Sequence, residues 1–225
     1  MKLETERLIL RPWEERDRAP MAGIHGAPHV RRFFPKVLTP QETNADIDLA
    51  IERARTNGFH FQAAELKETG DLIGLIGLGF VPDATKEAIP SHPKVEIGWV
   101  IGSKFWGKGL APEAARAWLA HAWSLGLPEV VAFTARLNLP SQRVMQKIGM
   151  VYDPADDYFH PKIPEGHPLR PHVLYRARNP QRSSDLISRM ILPEKSATFQ
   201  DHALTGNHLL SQGDSGLQKI RSAPR

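Results

Sequence analysis

The chain has no cysteine among its 225 residues. That absence excludes disulfides, a thiol nucleophile and a thiolate-bound metal, and it suits a cytoplasmic setting. No apolar run approaches the roughly 20 residues of a membrane span, and the charged opening reads as a strand rather than a secretory signal. Charge of one sign is also lacking, since the net charge of +4 is modest and scattered. Arg31-Arg32 and Arg53-Ala54-Arg55 are short basic spots, read as solvated helix faces and not as a nucleic-acid stripe. His25 and His29 have i, i+4 spacing, but Gly26 and Pro28 interrupt them and no further ligand is evident, so no metal is expected. Ser141 has no G-x-S-x-G elbow around it, which argues against a hydrolase triad.

What is present begins with Trp106-Gly107-Lys108-Gly109-Leu110-Ala111. Two glycines flanking a lysine allow a tight turn in which several N–H groups point at one spot. A helix N-terminus adds about half a positive charge there. The run is neither a Walker loop, which needs four residues between its glycines and a Ser or Thr after the lysine, nor a G-x-G-x-x-G fingerprint, because Pro112 follows instead of a third glycine. By itself it is an anion nest or a plain strand-to-helix turn.

Its surroundings narrow the choice. Val95 to Ile101 alternates and is rich in β-branched residues, as a strand should be. Leu110, Ala111, Ala114, Ala115, Trp118, Leu119 and Ala122 form a helical stripe. A second strand, Val130 to Thr134, leads to Asn138-Leu139-Pro140-Ser141 and a short helix ending before Gly149. Upstream, the pattern predicts a first strand at Arg7–Pro12, helices near 14–25 and 41–57, and a hairpin of Phe59–Leu66 and Leu72–Val81. Asp83–Lys94 reads as a loop. So does Asp153–Pro171, whose acidic residues Asp153, Asp156 and Asp157 are candidates to attract a cationic amine. From residue 180 to 225 the chain is a polar tail, expected to be flexible or loosely docked.

The ordered motifs resemble the GNAT superfamily of acetyl-CoA-dependent N-acetyltransferases over residues 1–179. Trp106 to Ala111 is similar to its pyrophosphate loop Q/R-x-x-G-x-G/A, with Trp106 in the Q/R place. The tryptophan form, the opening Leu3-Glu4-Thr5-Glu6-Arg7-Leu8, Asn138-x-x-Ser141 with Lys147-x-Gly149-Met150, and the late His167–Arg170 and His172–Arg176 look like the RimJ/RimL-type branch, known for acetylating ribosomal-protein N-termini. The resemblance implies an α/β (α+β) fold: a mixed, largely antiparallel sheet flanked by helices, with a splayed parallel strand pair binding acetyl-CoA. It implies acetyl-CoA as co-substrate without a metal, and a monomer or homodimer that engages neither nucleic acid nor membrane.

The chemistry expected is direct attack of a primary amine on the thioester in a ternary complex. The acceptor is a protein N-terminal α-amine or a small-molecule amine. Only the neutral amine attacks, and an α-amine is neutral to roughly a tenth at pH 7, so mild base assistance suffices. Glu96 is the candidate base, since burial would raise its pKa toward the useful range; a carboxylate hydrogen-bonded to the neighbouring strand or loop is the alternative. Trp99, Val100 and Ile101 would polarise the carbonyl and pair with the pantetheine arm. Trp106, Gly107, Lys108, Gly109, Leu110 and Ala111 would hold the pyrophosphate, and Asn138 the cofactor arm. Many relatives protect the leaving thiolate with a tyrosine seven residues after the asparagine. Met145 stands there, so Ser141 is the substitute expected, unless it merely caps the helix. A catalytically silent acyl-CoA-binding sensor or scaffold module remains the alternative to an enzyme.

Overall fold

A computed structural model of the chain describes residues 1–181. In chain order it contains β1 (Leu3–Glu4), β2 (Leu8–Arg11), α1 (Arg18–His25), α2 (Pro40–Asn57), β3 (Phe61–Leu66), β4 (Leu72–Phe80), α3 (Asp83–Ala88), β5 (Val95–Ile101), α4 (Leu110–Ser124), β6 (Glu129–Ala135), α5 (Leu139–Lys147), β7 (Val151–Tyr152), β8 (Tyr158–Phe159) and β9 (Pro171–Arg178). The strands form one sheet in the order β1-β2-β3-β4-β5-β6-β9-β7, with β8 also on β9. Every pairing is antiparallel except β5 with β6. This is the mixed, largely antiparallel sheet expected.

Successive strand residues face opposite sides of a sheet, and here each side is apolar. Leu8 and Leu10 of β2, Ala64 of β3 and Ile73 and Ile76 of β4 pack with Trp118, Ala114 and Leu119 of α4 in the main core. Their neighbours Ala63 and Leu72 turn the other way, onto Met21 of α1 and Ile47 and Ala50 of α2. Trp118 is wholly buried, so its ring alone fixes much of the α4 seat. Local signals agree with these placements. Thr39 and Glu42 form a reciprocal capping box at the start of α2, Pro40 takes the first helical position, and Gly58 ends the helix with φ 81°.

Three expectations need correction. Residues 14–17 begin with a 3₁₀ turn, and α1 proper starts at Arg18. Asp83–Lys94 is no mere loop, because α3 forms there and Ile89 after it is wholly buried beside Val131 and Tyr158. Likewise 153–171 holds a 3₁₀ turn and β8. The tail expected from residue 180 lies, from 182 onward, outside the described residues.

One buried charge cluster ties β2 to β3 and to the turn that leads into α1. Arg11 donates to both oxygens of Asp17, at 2.7 and 2.9 Å, and to Glu65 on β3 at 2.7 and 2.8 Å. The Asp17 side chain is 2% exposed. Removing one partner of such a group leaves a charge buried and uncompensated, which costs about 3–5 kcal/mol. Arg11→Ala is expected to lower unfolding free energy by that amount in urea titration; a loss below 1 kcal/mol would show that water takes over the role of the guanidinium.

Candidate active site

β5 and β6 are registered as neighbours at one pair, Glu96 with Val131. Beyond it each strand is held by its outer partner. β5 follows β4 as far as Ile101 opposite Gly74, and β6 follows β9 as far as Ala135 opposite His172. Gly74 permits the close approach on the β4 side, since a Cβ there would lie 2.1 Å from the Val100 carbonyl oxygen. The two arms therefore part after Glu96, and the peptide groups of β5 that face the gap have no strand to bond.

A cavity of about 710 Å³ fills this fork. Its wall includes Glu96, Trp99, Val100, Ile101, Trp106, Gly107, Gly109, Leu110, Ala111, Asn138, Ser141 and Met145. The structure thus brings together all but one of the residues expected at the site. Lys108 is the exception. Its side chain is exposed, outside the cavity wall, with its ammonium 5.8 Å from the centre of the Phe105 ring.

The loop 106–111 has the form its glycines suggested. Gly107 and Gly109 have φ of 75° and 77°, which only glycine adopts without strain. Among the described residues, the N–H groups of Gly107 through Ala111 have no protein acceptor. They crowd the N-terminus of α4, where a helix favours an anion. Trp106 fastens the loop to the fork by donating from Nε1 to the Ile101 carbonyl at 2.7 Å. The Arg32 guanidinium lies over its ring at 4.9 Å.

The N-terminal segment braces the same loop from behind. Thr5 Oγ1 donates to Glu113 Oε1 at 2.5 Å, and Arg7 contacts Glu113 Oε2 from Nε at 2.7 Å and Nη2 at 2.6 Å. Arg7 Nη1 also donates to the Lys108 carbonyl at 2.9 Å. Burial would push the Glu113 carboxyl upward, yet the hydrogen bonds from Thr5 and Arg7 outweigh it and hold the group below its ordinary value.

At the closed end of the fork, Glu96 has no hydrogen-bond or ion-pair partner among the described residues, and burial raises its pKa to about 8. The neighbour-strand bond that was its alternative role is not formed. Asn138 caps α5, accepting from the Ser141 N–H at 3.3 Å while its amide donates to Thr134 at 2.9 Å. Capping therefore falls to Asn138 and not to Ser141, and it occupies part of the amide expected to serve the cofactor arm. The acidic trio is also committed elsewhere. Asp156 pairs with Arg176 at 2.6 Å, Asp157 with Arg136 at 2.7 Å, and Asp153 caps the turn after it. It forms no free anionic lure for an amine.

Sequence reasoning missed a ring cluster beside Glu96. His160 and His172 line the cavity with ring centres 4.9 Å apart, and Tyr158 lies 5.5 Å from His172. Burial, and then the nearby Glu96 charge, raises the Tyr158 hydroxyl pKa. The sequence signal was the alternation of Tyr158 and His160 within a proline-rich stretch, which two-residue strands express too weakly to stand out.

The family described as acetyltransferase (GNAT) domain matches residues 7–151. The chain belongs to the GNAT acetyltransferase family. YkkB, an uncharacterized protein of Bacillus subtilis, is 31% identical over 153 residues, spanning 67% of this chain and 86% of YkkB. Among solved structures, a GNAT-family acetyltransferase from Bacillus anthracis superposes with a TM-score of 0.65 at 27% identity, covering 80% of this chain and 99% of that one. Mycobacterium smegmatis RimJ, solved with CoA-disulfide, shares the fold with a TM-score of 0.63 at 19% identity, over 84% of this chain and 93% of its own. The chain is accordingly an acetyl-CoA-dependent N-acetyltransferase, which favours the enzyme over the silent module. No helix among the described residues is long and apolar enough to cross a membrane.

The clasp on the loop makes a measurable demand. If Glu113 holds Arg7 and Thr5 against the turn, Glu113→Ala should weaken CoA binding about tenfold by calorimetry, the scale of losing one charge-assisted bond. An unchanged dissociation constant would mean that the glycine turn keeps its shape unaided.

Proposed function

We propose that residues 1–179 form the catalytic unit and that it acetylates a primary amine by direct attack within a ternary complex. The observation that carries this is the desolvated, unpartnered Glu96 at the apex of the fork that opens on the 106–111 loop. In this reading the N–H groups of 107–111 take the pyrophosphate, with Lys108 adding charge from outside, and the pantetheine arm runs between the diverging strands. Its amides pair with the free edge of Trp99–Ile101, whose N–H groups also face the oxygen that gains charge as the thioester carbon becomes tetrahedral. Asn138 offers the arm its remaining amide N–H.

The amine nitrogen then forms a bond to the acetyl carbon, its proton passes to Glu96 directly or through a water, and the carbon–sulfur bond breaks. Met145 is buried and cannot donate to the departing thiolate. Tyr175 does not replace it, because its hydroxyl is engaged with Gln142 and Gln146 beneath α5. The Ser141 hydroxyl lines the cavity without a partner among the described residues and is the donor assigned to this step. A thiolate with an ordinary pKa near 8.5 needs only such a hydrogen bond. The RimJ-like loop and the shared fold support a protein N-terminus as one acceptor class, and a small amine as the other.

The test is the pH dependence of kcat/KM. A carboxyl raised to about 8 is a base only above that pH, so activity should climb through pH 8. An α-amine titrates close by, so the profile must be compared with that of Glu96→Gln. The variant should lose about a hundredfold in the plateau rate, the lower end of the range for general-base assistance. The sign for stability is opposite. A carboxyl whose folded pKa exceeds the unfolded one loses its stabilising contribution as pH rises toward 8, so Glu96→Gln should melt higher than the parent at pH 9 and not at pH 4. A near-normal rate with an unshifted acidic limb would remove Glu96 from the mechanism.

Ser141→Ala should lower kcat about tenfold, the worth of one hydrogen bond, with little change in the acceptor KM. Equal losses in kcat and CoA affinity would instead assign Ser141 to cofactor binding.

A further inference from the structure

His160 and His172 carry fixed and opposite hydrogen-bonding roles. The Lys162 N–H donates to His160 Nδ1 at 3.2 Å, so in the neutral ring the proton sits on Nε2. His172 Nδ1 lies 3.1 Å from the Arg170 carbonyl oxygen. A carbonyl only accepts, so here Nδ1 holds the proton and Nε2 is bare. Both rings stay neutral at physiological pH. Burial lowers His172 to about 4, and burial together with Lys162 lowers His160. Neither Nε2 has a protein partner among the described residues, and both residues line the cavity. One imidazole thus offers the cavity an N–H, and its neighbour, 4.9 Å away between ring centres, offers a lone pair.

We propose that this pair reads a carbonyl group on the carbon next to the acceptor amine, making the enzyme selective for neutral α-amino carbonyl compounds over simple alkyl amines. In such a unit the amine nitrogen and the carbonyl oxygen lie about 3 Å apart by standard bond geometry. The oxygen accepts from His160 Nε2 and the amine N–H donates to His172 Nε2. A free carboxylate is disfavoured there, because two neutral rings supply it no counter-charge. Amides, esters and peptide N-termini fit. Phe33, Phe133 and Ile163 line the same cavity, so an apolar substituent on the central carbon suits it. The inference rests on the amine-acetyltransferase reading and adds to it the group beside the amine.

The experiment compares L-phenylalaninamide with 2-phenylethylamine, which lacks only the carboxamide, by initial rates of CoA release from acetyl-CoA. The two amines differ in pKa, so the quantity read is the change in their kcat/KM ratio between parent and variant, from which that difference cancels. His160→Phe keeps a ring of similar volume in the cluster and should reduce the preference for the amide by about fivefold or more, the cost of stranding a polar group, whereas His172→Phe removes the acceptor for an amine N–H that both substrates carry and should slow both together with the ratio kept. His160→Gln retains a donor and should recover part of it. CoA affinity reports whether each variant is folded, and the glutamine variant serves if the phenylalanine one is not. A ratio that stays constant in both His160 variants, or a ratio that shifts in His172→Phe as much as in His160→Phe, overturns the inference while leaving the transferase intact. Absence of turnover of any amine by the parent protein overturns both.

Discussion

The site depends on one constraint: two neighbouring parallel strands that stop pairing after a single register. β5 and β6 diverge while each stays paired along its far edge with a long antiparallel partner, β4 and β9 respectively. The backbone groups left facing the gap must otherwise be buried without partners, which protein interiors avoid. An extended ligand bearing its own amides resolves that conflict. In the proposed reading, the fork thus suits the pantetheine arm through its backbone alone. It also places Glu96 at the apex, where the strands meet, so desolvation lifts that carboxyl, which has no counter-charge among the described residues.

The far end of the cavity is built by a different means. There the chain needs a turn stiff enough to hold five N–H groups outward. The glycines permit that turn but do not enforce it. Enforcement comes from Thr5 and Arg7, a hundred positions away, through Glu113 and the Lys108 carbonyl. An acidic residue in the first turn of α4 would seem to compete with a bound phosphate. Two charge-bearing donor contacts from Arg7 neutralise it, and its carboxylate becomes a bracket for the loop.

Much of this was legible in the sequence for identifiable reasons. The strand at Val95–Ile101, the stripe of α4 and the hairpin at 61–80 announce themselves through strict periodicity and turn residues, and the GNAT motifs are contiguous. What escaped was non-local. Arg11 reads as an ordinary strand arginine until Asp17 and Glu65 enclose it. Asp156 and Asp157 read as free acids, yet Arg176 and Arg136 arrive from β9 and the end of β6. The α3 turn was hidden in a segment whose polar residues face outward, because its burial rests on Thr85 and Ile89. Asn138 and Ser141 were placed together correctly, but which of them caps the helix depends on the backbone angle at Asn138, which no spacing reveals.

Burial acts on the titratable groups of the cavity in opposite directions. The same low-dielectric setting that raises Glu96 lowers His160 and His172, because in each case the neutral form is favoured. The end of the cavity around Glu96 is thereby lined with neutral, directional groups. The cationic side chains on the cavity wall, Arg32 beside Trp106 and Arg143 and Lys147 on α5, belong to other segments. A polyanionic donor and a neutral acceptor can then occupy one continuous space without sharing recognition groups. In such a site, selectivity for the acceptor rests on hydrogen-bond complementarity, since a mismatched group left unpaired in a dry pocket costs more than a misplaced surface charge.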